Sequence, residues 1–155
     1  LLCTIGTAQA QATAPRVYNL STRGEVGTGE DIMISGFVVG AGDPDTVLIR
    51  AVGPGLSTFG VTGILGAPAL TLYDSTGKAL QTNTGWSTGN ATAEIMATAG
   101  AFALNPGSAD SALVATLPSG SYTAEVAGVG GTTGIVLLEI YEVSPGPTTA
   151  RLINL

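Results

Sequence analysis

The chain predicts an all-β fold: a β-sandwich of jelly-roll type with one short helix and an extended N-terminal arm. Three observations lead there. Short runs rich in Val, Ile, Leu, Thr and Tyr recur along the 155 residues, broken about every ten residues by Gly, Pro, Asp and Ser. The 23 glycines and 8 prolines fall short of a disordered composition and instead punctuate these runs. Only residues 90–99, NATAEIMATA, carry a helical pattern, with Asn90 as cap, Ala-rich turns, Ile95 and Met96 as apolar face, and Gly100 as stop.

Residues 1–14 read as an arm, 15–144 as the sandwich and 145–155 as a C-terminal connector strand. In the arm, Thr7, Gln9, Gln11 and Thr13 alternate with Ala8, Ala10, Ala12 and Ala14, the period-two pattern of a strand with one small-residue face. Residues 1–12 also pair an apolar stub with Ala-x-Ala, as the tail of a signal peptide does, so two readings of this stretch stand open. Leu2 is the wrong residue type before Cys3 for a lipoprotein site. A strand at 16–20 and a polar connection at 21–30 follow.

Residues 32–39 and 46–52 are the most β-like runs, and the turn at 40–45 between them predicts a hairpin. Both faces of each run are apolar, which places the hairpin mid-sheet and covered on both sides. Residues 56–68 predict a packed loop, because Phe59, Val61, Ile64 and Leu65 must be tucked away. Further strands are predicted at 69–73, 79–83, 111–117, 121–127 and 134–143. Pro145 and Pro147 then stiffen a spacer before Arg151, Leu152, Ile153, Asn154 and Leu155.

Composition narrows the function. Charged residues make up 10% against 45% hydrophobic, which leaves two readings open: a surface largely covered by neighbours, or the merely neutral surface of a Thr- and Gly-rich secreted domain. Net charge of −6 with five Lys and Arg argues against nucleic acid and anionic membranes. No apolar run approaches the roughly 20 residues of a membrane span. One cysteine forms no internal disulfide, and the absence of His removes the commonest general base and metal ligand.

Candidate chemistry is sparse. Asp43, Asp45, Asp74 and Asp110 sit in turns, where carboxylates serve backbone amides; calcium is the functional alternative, without any known ligand spacing. Arg50 lies inside an apolar strand and must meet a carboxylate or carbonyls, either as a buried pair fixing the sandwich or as a ligand-binding cation. Trp86 and Tyr73 suit a sugar platform or the core. Asn19-Leu20-Ser21 and Asn90-Ala91-Thr92 match the glycan acceptor pattern.

One internal repeat joins the two ends of the domain: RVYNL at 16–20 and RLINL at 151–155 share Arg, Asn and Leu at identical spacing. With NLSTRG at 19–24, VGTG at 26–29, GFV at 36–38, TVLIRAVGP at 46–54, FGV at 59–61, LTLYD at 70–74, GSAD at 107–110, YTA at 122–124 and GGTTG at 130–134, the chain resembles a β domain found, often in tandem, in secreted and surface proteins of environmental bacteria. Its second half has a looser similarity to the bacterial pre-peptidase C-terminal sandwich, through Asp74-Ser75-Thr76-Gly77 and Gly120-Ser121-Tyr122-Thr123. The resemblance implies no catalytic activity, an extracellular or cell-surface location, and an RLxNL segment that joins one repeat to the next. The Ala/Gln arm and the single repeat depart from a multi-repeat architecture.

The expectation is therefore a non-enzymatic structural subunit of an extracellular filament or array. It needs no cofactor and has itself as partner, joined head-to-tail by strand exchange. Residues 1–14 are the donor, through the alternating stretch 7–14, with 151–155 as the alternative. The rival expectation is a module that binds surface glycans or polysaccharide.

Overall fold

The computed structural model describes residues 17–144 and 151–154. It shows two antiparallel sheets packed face to face. The strands are β1 (Asn19–Val26), β2 (Met33–Val39), β3 (Asp45–Val52), β4 (Pro68–Asp74), β5 (Ala79–Asn83), β6 (Ser111–Leu117), β7 (Gly120–Gly128), β8 (Gly134–Glu142) and β9 (Leu152–Asn154), with one α-helix, α1 (Ala93–Thr98). A four-stranded sheet runs β1-β8-β3-β6 and a five-stranded sheet β5-β4-β7-β2-β9. Strand pairs β4/β5, β3/β6, β2/β7 and β1/β8 are nested like one long ribbon wound over itself, which is the jelly roll. β9 is an addition outside those eight strands.

The main core lies between the sheets, where Val47, Ile49 and Ala51 of β3 and Val136, Leu138 and Ile140 of β8 meet Phe37, Leu70, Leu72 and Val126. Phe37 pairs in register with Tyr122, their rings stacked 5.6 Å apart. The alternate residues of β3 face the other way, into a second cluster. There Leu48 and Val52 are covered by Leu56, Trp86, Met96 and Leu104, carried by the connections and α1. β3 is thus apolar on both faces because both are covered.

Several expectations change. β2 and β3 do not form a hairpin: β2 pairs with β7 and β9, and β3 with β6 and β8. The turn between them is a crossover from one sheet to the other, and β-branched content alone does not distinguish the two. Of the two, only β3 is covered on both sides. β2 alternates, with Ile34 58% exposed on the outer face. The polar stretch after residue 20 is not a connection, since β1 runs on to Val26 as an edge strand with its side chains largely exposed. α1 is shorter than predicted and is capped by Thr92, whose hydroxyl accepts from the Ile95 N–H at 3.2 Å.

The loop after β3 is packed, with reciprocal 2.8 Å hydrogen bonds from Ile135 N to the Gly63 carbonyl and from Leu65 N to the Ile135 carbonyl. Leu65 is buried in the core, yet Phe59 is 62% exposed at the end of a 3-10 turn, Pro54–Phe59.

β9 lies against its own chain. Leu152 pairs with Val39, Gly40 N–H donates to the Arg151 carbonyl at 2.8 Å, and Val17 bridges Leu152 from the other side. The two copies of the repeated motif therefore meet. Leu152 is 2% exposed inside the main core while Ile153 is 60% exposed. Leu152→Ala is expected to lower stability by about 3 kcal/mol, and Ile153→Ala by no more than about 0.5 kcal/mol, in urea unfolding. Equal effects would mean that β9 is not seated.

Candidate functional site

Arg50 sits in the second cluster, fully buried, because its place on β3 turns it away from the intersheet core. Across the sheet it is in register with Glu139 of β8, and its Nε lies 3.2 Å from Glu139 Oε2. Nη1 donates to the Phe102 carbonyl at 2.7 Å, and the guanidinium lies 4.4 Å from the Phe102 ring centroid. Tyr141 completes the group, its hydroxyl donating to Glu139 Oε1 at 2.7 Å. Burial draws the Arg50 pKa down, and the charge of Glu139 opposes that shift. Burial, then the hydrogen bond and charge of Glu139, push the Tyr141 pKa up to about 12.

The four aspartates occupy separate settings. Asp110 is buried in a cradle, accepting from Gly53 N at 2.8 Å, Gly55 N at 3.0 Å and Ser108 Oγ at 2.7 Å. This fastens the turn after β3, and Gly53 is required there, since a Cβ would stand 2.0 Å from the Leu65 carbonyl oxygen. Asp45 accepts from Ser144 Oγ at 2.6 Å. Asp74 accepts from Thr76 Oγ1, Thr76 N and Lys78 N in its turn, and the bond from the Thr76 hydroxyl is the first cause of its lowered pKa. Asp43 lies in the exposed turn before β3. Among the described residues no three His, Cys, Asp or Glu gather to hold a metal ion.

Trp86 is a core residue, its indole N–H donating to the Asn105 carbonyl at 3.0 Å, so it forms no sugar platform with Tyr73. Phe59 is an exposed aromatic, packed edge-on to Phe102 at 5.0 Å. These two rings, with Leu56, Leu137 and Arg23, line an open cavity of about 450 Å³ where the outer cover stops short of β1.

The sheet edges are the remaining site. Residues 7–14 and Leu155 lie outside the described residues. Of the expected interface, Arg151, Leu152, Ile153 and Asn154 are seen on the edge of β2. At the opposite side of the sandwich, β6 is an edge strand blunted by two side-chain amides. Asn83 Oδ1 accepts from Ala112 N at 3.0 Å; Asn90 Oδ1 accepts from Val114 N at 2.9 Å, and Asn90 Nδ2 donates to the Val114 carbonyl at 2.6 Å. Asn90 is therefore a strand-edge cap and not the helix cap predicted for it.

Sequence reasoning passed over Glu139, Phe102, Asn83 and Tyr141. An Arg and a Glu on separate apolar strands are the one signal that could have paired Arg50 with Glu139. Compared with known proteins, the chain matches no family model and no curated protein. No helix among the described residues is long and apolar enough to cross a membrane.

Arg50→Met should cost roughly 3–5 kcal/mol in denaturant unfolding, because Glu139 would be left buried and unpaired. Replacing Glu139 by Leu in the same chain should recover a substantial part of it. The raised Tyr141 pKa also sets a sign. Its contribution is fully present below the unfolded tyrosine value, near 10, and is lost as pH rises through about 12. Tyr141→Phe should flatten that alkaline decline in melting temperature.

Proposed function

We propose that this protein is a non-enzymatic structural subunit of an extracellular filament or cell-surface array, joined head-to-tail by a terminal strand that completes the sheet of a neighbour. One observation carries the reading. The eight-stranded jelly roll takes up a ninth, three-residue strand that repeats the motif at the start of the domain, and that strand inserts Leu152 into the core. A fold that draws a core side chain from a short terminal segment can draw it equally from another chain, because the contacts are the same in either connection.

The physical background supports it. An acidic chain of low charge content, with exposed Val17, Tyr18, Ile34 and Ile153 near one edge, favours association over dispersion. The buried Arg50, Glu139 and Asp110 are engaged in holding the fold, and they offer no nucleophile and base together. Head-to-tail contact is heterologous and propagates without closing.

Removing residues 1–14 should yield soluble, less stable monomers, and adding the arm as a peptide should restore the unfolding midpoint. Electron microscopy and sedimentation read the outcome, and unchanged filaments from a chain lacking both 1–14 and 151–155 would refute the proposal.

The cavity beside Phe59 favours a second reading, a module that binds polysaccharide, since an exposed ring beside a cation suits a sugar face and its acidic substituent. Under it, Phe59→Ala should abolish retardation on an acidic polysaccharide gel and leave sedimentation unchanged.

A further inference from the structure

A sandwich of two sheets has two open sides, and this one closes them differently. On the side of β1 and β2, β9 adds a strand and Leu152 fills the gap between the sheets. On the opposite side, between the edge strands β5 and β6, a groove of about 530 Å³ remains, walled by Leu72, Leu80, Ala115, Leu117, Pro118 and Tyr122. The amide caps on β6 stop at Val114. By the alternation of an antiparallel ladder, the N–H and C=O of Thr116 face the same free edge as those of Ala112 and Val114. Among the described residues no side chain caps them.

We infer that this groove is the acceptor for residues 7–14 of a second copy of the chain, which add to the free edge of β6 and lay their alanine face between the sheets. The inference rests on the reading that a terminal strand joins the subunits. The groove asks for an extended, uncharged segment with small inward side chains, because its floor residues Leu72 and Leu117 are already packed. Ala8, Ala10, Ala12 and Ala14 alternate with Thr and Gln in a stretch without charge, Gly or Pro. Among the described residues the only charged one in the wall is Asp74, which its own turn already satisfies.

The chain's own arm is too short. Val17 is held on the far side of the sandwich by its bridge to Leu152, and three extended residues from there to Ala14 span about 10 Å. A strand added outside β6 lies four interstrand steps from β1, about 19 Å. The occupant must come from a neighbour.

Disulfide trapping in full-length chains tests this in a Cys3→Ser background. Ala8→Cys, Ala10→Cys or Ala12→Cys in one preparation is mixed with Ala115→Cys in another, and Ile153→Cys serves as the alternative acceptor on β9. The expected result is a cross-linked dimer with Ala115→Cys from at least one arm position and none with Ile153→Cys. Thr116→Pro, which removes an N–H on the free edge and, of its bonds to β3, only the exposed hydroxyl contact with Thr46, should abolish that cross-link and lower the unfolding midpoint no further than removing residues 1–14 does. Links to Ile153→Cys alone, or an internal disulfide in a chain carrying both cysteines, would overturn the inference. So would polymer that pellets without any link at 115, and in that case the proposed function would stand. A chain that stays monomeric at every concentration would overturn both.

Discussion

Everything in the upper half of this molecule depends on β3 having two buried faces. A strand in that position must fill two cores at once, and five of its eight side chains are apolar. Asp45 at its start is held by Ser144, and in mid-strand Arg50 is the exception. Its charge is tolerated because β8 presents Glu139 directly opposite and because the Phe102 carbonyl and ring close over it. That contact ties Phe102, which also packs against Phe59, to the sheet. Removing one member would leave the other charged in an apolar setting, which is the costly outcome for buried ion pairs.

The same economy governs the turn after β3. Asp110 gathers the amides of Gly53 and Gly55, so the chain can reverse with its backbone polar groups satisfied in the interior. The Gly-Pro-Gly and Gly-Ser-Ala-Asp motifs are two halves of this one device. Asp45, Asp74 and Asp110, which resemble metal ligands in sequence, are thus committed to backbone amides and hydroxyls.

Edges decide how such a domain meets others. β6 is blunted by two asparagine side chains over half its length, and β2 is covered by a strand from the end of its own domain. What remains uncovered on β6 is short, which separates specific strand addition there from indiscriminate edge-to-edge aggregation.

The sequence by itself determined the all-β character, the placement of most strands and the turns between them. Those features rest on local chemistry: β-branched runs, Gly at positive φ, and Asp beside backbone amides. It also flagged Arg50 as a charge in need of a partner. Which sheet each strand joins was decided only by the tertiary structure. β2 and β3 read as a hairpin because they are neighbours in sequence, but their partners lie far along the chain. Ser144 reaching Asp45 across 99 residues shows the scale of the separation. Most of β1, from Ser21 on, reads as a connection for a related reason: an edge strand has few buried side chains and so little hydrophobic alternation to reveal it. The docking of Leu152, the asparagine caps and the open groove beside β6 are likewise properties of assembled edges, which no local stretch of sequence contains.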